Sequence, residues 1–147
     1  MPKSFDFEHA PGYLIRRAHQ LAVAIFMEET AGFDITPVQF AILNALIDDP
    51  GEDQITLAGR VAFDAATSGS VISRLEAKGL IRREPALSDR RRKLLWITSE
   101  GQHAALRMKR AVARAQTRVT AALNDAQREQ LVALLHSMVA GHTPPVD

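Results

Sequence analysis

Two groups of side chains in this sequence have the types and spacing to engage an anion. The first is Arg90-Arg91-Arg92-Lys93, preceded along the chain by a run of small and polar residues, Ala65-Ala66-Thr67-Ser68-Gly69-Ser70, with Ser73 and Arg74 just beyond. Cations in a row are most often a solvated turn, so their placement decides whether they bind anything. Small or polar side chains are what a helix needs on the face that enters the major groove of DNA. The second group is Arg16, Arg17 and His19, with His9 shortly before them, beside the apolar Ile15, Ala22 and Phe26. A cation at the edge of an apolar cleft suits a small carboxylate with a hydrophobic body. Arg16 or Arg17 would pair the carboxylate and His9 or His19 would bind a ring substituent. The competing reading is that the arginines pair with acidic residues, for instance those of 28–53 across a dimer, and that His19 is merely packed.

Helices must position both groups. Leu14, Ala18, Leu21 and Ile25 recur at helical spacing from Gly12 to about Ala31, which predicts one buried stripe, and Gly32 closes that helix. In Thr36-Pro37-Val38-Gln39, Thr36 caps the next helix, Pro37 fits its first position and Gln39 completes a capping box. That helix carries Phe40, Leu43, Leu46 and Ile47 and stops at Asp48-Asp49-Pro50-Gly51. Thr56 is expected to cap a short helix, Leu57 to Ala62, with Ile55 as a hydrophobic staple. Asp64 is expected to cap the following one, in which Val71, Ile72 and Leu75 face inward and Gly79 ends the helix. Leu80-Ile81-Arg82-Arg83-Glu84 and Leu94-Leu95-Trp96-Ile97-Thr98 read as two strands of a hairpin with a charged tip. A long helix to about Leu123 follows, with Leu106, Val112, Ala115 and Val119 among its buried candidates. Asn124 and Gln127 cap a last helix through Leu131, Leu134, Leu135 and Met138, which Gly141 ends.

Two helices joined by a tight turn at Phe63-Asp64 and followed at once by a basic hairpin make a winged helix-turn-helix. The fold expected is mainly α with a small β-hairpin wing and dimerisation helices at both ends. In this organisation residues 1–147 form a single domain, with the dimerisation helices about 10–31 and 99–140 and the winged helix-turn-helix about 36–98. The DNA-facing candidates are Ala66, Thr67, Ser68, Gly69, Ser70, Ser73 and Arg74 on the second helix, and Arg90, Arg91, Arg92 and Lys93 on the wing. Asp89 is read as fixing the wing by pairing with a neighbouring arginine, and Trp96 as partly exposed beside it. Phe26, Phe33, Phe40 and Phe63 are assigned to the core, with Phe40 also a candidate lining of the effector cleft. His103, His136 and His142 are placed on or after exposed helix faces. The terminal helices carry alanine-rich stretches and are apolar on more than one side, which predicts a two-fold dimer and a pseudo-palindromic operator.

Nearly the whole chain resembles the MarR family of bacterial transcriptional regulators. The likeness rests on Leu57 to Asp64, on Val71-Ile72-Ser73-Arg74-Leu75-Glu76-Ala77-Lys78-Gly79-Leu80-Ile81-Arg82-Arg83, on Ser88-Asp89-Arg90-Arg91-Arg92-Lys93, and on Leu95-Trp96-Ile97-Thr98-Ser99-Glu100-Gly101. The resemblance implies an obligate homodimer with intertwined terminal helices, two projecting winged modules, and a ligand pocket between the dimer helices and each module. Two positions depart from the family pattern: Ser68 stands where a buried aliphatic residue is usual, and Ser70 where an Arg or Lys is frequent. Short side chains, water bridges and the wing are then expected to carry more of the specificity. The opening Pro11-Gly12-Tyr13-Leu14-Ile15-Arg16-Arg17 resembles a subgroup associated with aromatic-acid catabolism. The expected function is a repressor released from its operator by a small aromatic carboxylic acid.

Composition sets the remaining bounds. The formal net charge is +1, yet residues 28–53 hold seven acidic groups and no basic one, while residues 60–93 hold nine basic and four acidic. The absence of cysteine excludes disulfides, thiolate metal sites and cysteine nucleophiles. No HExxH, GxSxG or P-loop occurs, so an enzyme is not expected and no cofactor is called for. A metal-responsive regulator using His9, His19 and Glu28 is a rival, as is an adaptor that keeps the winged fold without binding DNA. Glu28-Glu29 and Asp48-Asp49 are read as solvated faces. The start has no secretory pattern and no apolar run approaches a membrane span, so a soluble, cytoplasmic protein is expected.

Overall fold

In a computed structural model, residues 4–61 and 65–142 are described, the side chains of Ala65 and Ala66 excepted. Among them a single 3-10 turn, Phe7–His9, leads into α1 (Pro11–Glu29), α2 (Pro37–Asp48), β1 (Glu52–Asp53), α3 (Gln54–Arg60), α4 (Ala65–Ala77), β2 (Ile81–Pro85), β3 (Lys93–Ile97), α5 (Ser99–Val119) and α6 (Asp125–Ala140). The three strands form one antiparallel sheet in the order β1-β3-β2, with Ile81 opposite Ile97, Pro85 opposite Lys93 and Glu52 opposite Leu95. No helix among the described residues is long and apolar enough to cross a membrane.

The capping chemistry places most boundaries. The Gln39 N–H donates to Thr36 Oγ1 at 3.2 Å and the Thr36 N–H to Gln39 Oε1 at 3.1 Å, the reciprocal box that opens α2. Asn124 and Gln127 make the same box at α6, at 2.8 and 3.0 Å. Gly79 ends α4 with φ +75°, and the Leu80 N–H reaches back to Leu75 O at 3.1 Å. The start of α3 differs from expectation. Asp53, not Thr56, is the cap: its carboxylate accepts from the Ile55 and Thr56 N–H groups at 2.9 and 3.3 Å. The helix therefore begins earlier than foreseen, and Ile55, expected as a staple, stands exposed in its first turn. The expected cap Asp64, the turn at Phe63-Asp64 and the core candidate Phe63 lie outside the described residues.

The core sits where the two helices of the reading head meet the wing and α5. Ile42, Leu43 and Leu46 from α2, Leu57 from α3, Ile72 and Leu75 from α4, Leu95 from β3 and Met108 from α5 are wholly buried, with Ile81 of β2 nearly so. Each such side chain contributes about 1.5–3 kcal/mol through removal from water, so this cluster dominates the fold's stability. The Phe26 and Phe40 rings meet at a tilt of 58° with centres 6.3 Å apart, and Phe33 packs partly buried at the cluster's margin.

The outer faces of the terminal helices correct the expected burial. On α1 only Ile25 and Phe26 are buried, and Leu14, Ala18 and Leu21 of the expected stripe are exposed. Leu106, expected inside, is also exposed, and Ile47 at the end of α2 is marginally so. On α5 the inner stripe consists of small residues instead: Ala104, Ala105, Ala111 and Ala115 with Met108. No residue of α6 is buried, although Val132, Leu134, Leu135, Met138 and Val139 lie on it. Apolar periodicity specifies a face, and among the described residues of one chain much of these faces stays open to water.

The wing meets α5 at a close backbone contact. Thr98 caps α5 by accepting from the Gly101 N–H at 3.0 Å and donates its own hydroxyl to Gly79 O at 2.7 Å. A Cβ on Gly101 would collide with the backbone carbonyl of Leu80 and crowd Ile97. Gly101→Ala should therefore cost roughly 2–4 kcal/mol in urea unfolding. Gly12→Ala, where a methyl would meet nothing, should be neutral or slightly stabilising. Equal midpoints for Gly101→Ala and the unmutated protein would remove this contact from the account.

Candidate nucleic-acid interface

The second helix of the reading head, α4, divides its faces cleanly. Ile72 and Leu75 are fully buried and Val71 partly so, while Thr67, Ser70, Ser73 and Arg74 are exposed and Gly69 is half-buried. Ser68 does not belong to the outward set: it is 2% exposed and faces the core, so it is corrected from a DNA-facing residue to a buried polar one. The helical period explains the error, because Ser68 lies four residues before Ile72 and shares its face. Ala66 lies on α4, but its side chain is outside the described residues. A Cβ on Gly69 would touch nothing, so the outer surface of α4 is low at that point and lets another backbone approach.

Ser73 has a second attachment. Arg83 of β2 donates to Ser73 Oγ at 3.3 Å and to Glu76 Oε1 at 3.0 Å, while the Arg83 N–H donates to Glu76 Oε2 at 3.2 Å. The paired guanidinium holds the Glu76 carboxyl below its ordinary range, against the opposing effect of burial. This clamp joins the exposed face of α4 to the first strand of the wing.

The wing tip is fastened from within. The Ala86 N–H donates to Arg92 O at 2.9 Å, and the Arg92 N–H to Asp89 O at 3.0 Å. Asp89 acts structurally as expected but by another contact: its carboxylate accepts the Arg91 backbone N–H at 3.0 Å. The four tip cations separate into two kinds. All four are exposed, but Arg90, Arg91 and Lys93 have no ion pair in this structure among the described residues. Arg92 in addition donates through Nε to Asp53 Oδ2 at 3.0 Å, so it positions the wing while its side chain stays exposed at the tip. On β3, Trp96 is partly exposed as expected, with the Arg82 guanidinium 5.6 Å from its ring centre. The ring also lies against Gly51, where φ is +81° and a Cβ would collide with it.

Asp53 was not anticipated as a functional residue. It sits in β1, opposite Leu94, caps α3 and receives Arg92 from the tip. Burial acts to raise its pKa, but the hydrogen bonds from Arg92, Thr56 and Ile55 outweigh it and hold the carboxyl below its usual value. The sequence signal available was an aspartate immediately before the first residue of α3, which is a standard cap position.

The second candidate group is not brought together within one chain. His9 is exposed and lies 2.9 Å from Asp6. Arg16, Arg17 and His19 stand exposed on α1, while Phe40 of α2 is half-buried against Phe26. Four open clefts on the single chain are lined by other residues. Within one chain, the acidic 28–53 segment is paired with other cations among the described residues. Glu29 is bonded by Arg114 and Arg118 of α5, at 3.0 and 3.1 Å, and Glu28 by Arg118 at 2.8 Å. Those bonds hold the Glu29 carboxyl below its usual range. Asp49 and Glu52 both receive Arg60. Glu28-Glu29 and Asp49 are thus ion-paired rather than simply solvated. His103, His136 and His142 are exposed as expected, and no three metal-ligating side chains converge among the described residues.

The double role of Asp53 can be separated by mutation. Asp53→Asn keeps an N-cap but loses the anion for Arg92, and Asp53→Ala loses both. Asp53→Asn should lower stability by less than about 1 kcal/mol, and Asp53→Ala by about 1 kcal/mol more. Both should speed tryptic cleavage after Arg90 and Arg91. Unchanged cleavage in Asp53→Asn would show that the ion pair does not hold the tip. Because Asp53 and Glu76 are depressed in the folded chain, the stability they contribute is complete above the ordinary carboxylate range. It is lost as pH falls through their lowered values.

Residues 35–93 match the MarR family. Transcriptional regulator HosA of Escherichia coli is 36% identical over 89 residues, which are 57% of this chain and 65% of HosA, so the match spans a little under two thirds of that relative. The solved structure of Bordetella bronchiseptica BpsR, described for the regulation of its DNA binding by 6-hydroxynicotinic acid, is 31% identical. It superposes with a TM-score of 0.88, over 93% of this chain and 98% of BpsR. The transcriptional repressor CouR bound to a 23-mer DNA duplex is 28% identical with a TM-score of 0.85, over 95% of this chain and 99% of CouR. With its exposed polar recognition helix, its fastened basic wing and this near-complete superposition, the chain belongs to the MarR family of transcriptional regulators.

Proposed function

We propose that this protein is a homodimeric, sequence-specific DNA-binding repressor that leaves a pseudo-palindromic operator when a small aromatic carboxylic acid binds. The observation that carries the reading is the pairing of a low, polar α4 face with a basic wing tip fixed to the same body. Thr67, Gly69, Ser70, Ser73 and Arg74, with Ala66, meet the major groove. Arg90, Arg91 and Lys93 engage phosphates and the adjacent minor groove. Arg92, held by Asp53, sets the position of that tip. With no free arginine fork at Ser70, base discrimination comes from short hydroxyl side chains, water and DNA shape.

Dimerisation explains the otherwise unpartnered apolar faces. Leu14, Leu21, Val132, Leu135 and Met138 are exposed in one chain and become interior when α1, α5 and α6 pack against a second copy. The same assembly would bring an apolar wall to Arg16, Arg17 and His19, which have none in the single chain. There Arg16 or Arg17 pairs a carboxylate, His9 or His19 meets a ring substituent, and Phe40 closes the inner end. An aromatic acid also regulates DNA binding by BpsR. The function is binding rather than catalysis, and a soluble cytoplasmic protein suits it.

Two measurements test this. In sedimentation velocity the protein should run as a dimer and Leu135→Glu as a monomer; a monomeric unmutated protein would overturn the assembly. In fluorescence anisotropy at about 150 mM salt, duplexes enriched from a random library should bind at least about a thousandfold more tightly than scrambled DNA. One member of a benzoate and hydroxynicotinate panel should then release them. Release that persists in the Arg16→Ala and Arg17→Ala variants would remove both arginines from the effector site. An enriched duplex that no acid releases would leave the DNA reading intact and overturn the effector class.

A further inference from the structure

The wing carries a feature that its cations do not explain. Leu87, at the tip, is the most exposed of the large apolar side chains in the described residues, with its full surface open to water. A looping-out of slack chain is not the cause. Its neighbour Ala86 is 5% exposed and bonded to Arg92 O, and the turn that follows is closed through both the carbonyl and the carboxylate of Asp89. The backbone on either side is held, and the held backbone points a leucine outward. Arg90 and Arg91 are exposed on the same tip, so whatever the cations approach, Leu87 approaches too.

Phosphates on either side of a groove attract the cations, and the space between them is the groove floor. Proteins that enter the minor groove commonly place an apolar side chain against sugars and base edges or between base steps, where it is withdrawn from water. The cost of opening a step depends on sequence and is least at pyrimidine–purine steps, so an uncharged leucine can discriminate where phosphate contacts cannot. We propose that Leu87 is a minor-groove contact of the wing that sets a preference for easily unstacked steps beneath the tip. This rests on the DNA-binding reading above and adds to it a specificity determinant outside α4.

The test uses the full-length protein and duplexes enriched by it from a random library, comparing it with Leu87→Ser, Leu87→Met and Arg91→Ala. Leu87→Ser should bind about tenfold more weakly. Its dependence on salt should be unchanged, because no charge is removed, whereas Arg91→Ala should reduce the salt slope by about one. Leu87→Met should restore most of the affinity. Replacing the TA or CA step beneath the tip by a purine–purine step should weaken the unmutated protein and leave Leu87→Ser unaffected. Thermal unfolding of Leu87→Ser should match the unmutated protein, since the side chain supports nothing in the fold. Equal affinity and equal step preference in Leu87→Ser and the unmutated protein would overturn the proposal alone. Failure of the unmutated protein to enrich any duplex would overturn the DNA-binding reading, and this proposal with it, without reference to any variant.

Discussion

The contact of Gly101 with the carbonyl of Leu80 is the constraint on which the arrangement of this molecule depends. It allows α5 to begin immediately after β3, with Thr98 bonded both to the α5 backbone at Gly101 and to Gly79 at the end of α4. Three elements therefore meet within a few bonds: the helix that faces outward with small polar side chains, the strand that ends the wing, and the long terminal helix. A side chain at residue 101 would force them apart. Because buried backbone groups must find partners, the hydrogen bonds at this point also fix relative orientation, not only distance. The Arg83–Glu76 clamp and the Arg92–Asp53 pair then tie the hairpin to α4 and to the cap of α3. A reading head fastened at three places behaves as one body.

Charge is distributed by the same logic. The segment 28–53 concentrates acid, and much of that acid is consumed inside the chain. Glu28 and Glu29 receive Arg114 and Arg118, Asp49 and Glu52 receive Arg60, Asp34 receives Lys78, and Asp53 receives Arg92. Individually, exposed pairs of this kind add little stability. Their collective effect is on the field outside. They neutralise cations on the helical frame and on the inner side of the wing, while Arg90, Arg91 and Lys93 stay exposed at the tip. A chain of net charge +1 can thereby present a concentrated positive region, and attraction to a polyanion follows the local field rather than the total.

Elements whose signals are local were legible in the sequence. The Thr36–Gln39 and Asn124–Gln127 boxes and the Gly79 stop were readable because a few adjacent residues determine them. The α4 and hairpin order was readable because polarity changes period there. What escaped depends on contacts between distant residues. Glu52–Asp53 is too short to show an alternation and becomes a strand only because Leu94 and Leu95 lie opposite it. Thr56 is expected as the cap of α3 and Asp53 takes that place, because both residue types suit the position and only the hydrogen bonds actually formed decide. Ser68 was placed outward by its chemistry when the helical period, counted from Ile72, placed it inward. Arg92 could not be told from Arg90 and Arg91 by composition, since the difference is a partner 39 residues away. The burial expected for Leu14, Leu21 and Leu106 failed because apolar periodicity specifies a face without saying whether the same chain covers it.

That last failure bears on how the reading head is controlled. The faces left open lie on α1 and α6, whereas the bonds that hold the head begin at the first turn of α5. Between them α5 runs 21 residues, about 30 Å at the usual helical rise, without a proline or an interior break. Its far end is bound to α1 through Glu29, Arg114 and Arg118. On the proposed function, a ligand at α1 would have no need to alter the wing or α4 internally. In the proposed dimer, a change in how two copies pack around α1 would be carried along α5 to this closely packed junction, and the head would be displaced whole. The separation of the two heads, rather than the shape of either, becomes the quantity that fits or misfits a half-site spacing. The ligand's influence is then limited to its differential affinity for the two packings. On the proposed function, the close packing around Gly101 would let a modest difference in binding at one end become a mismatch at the other.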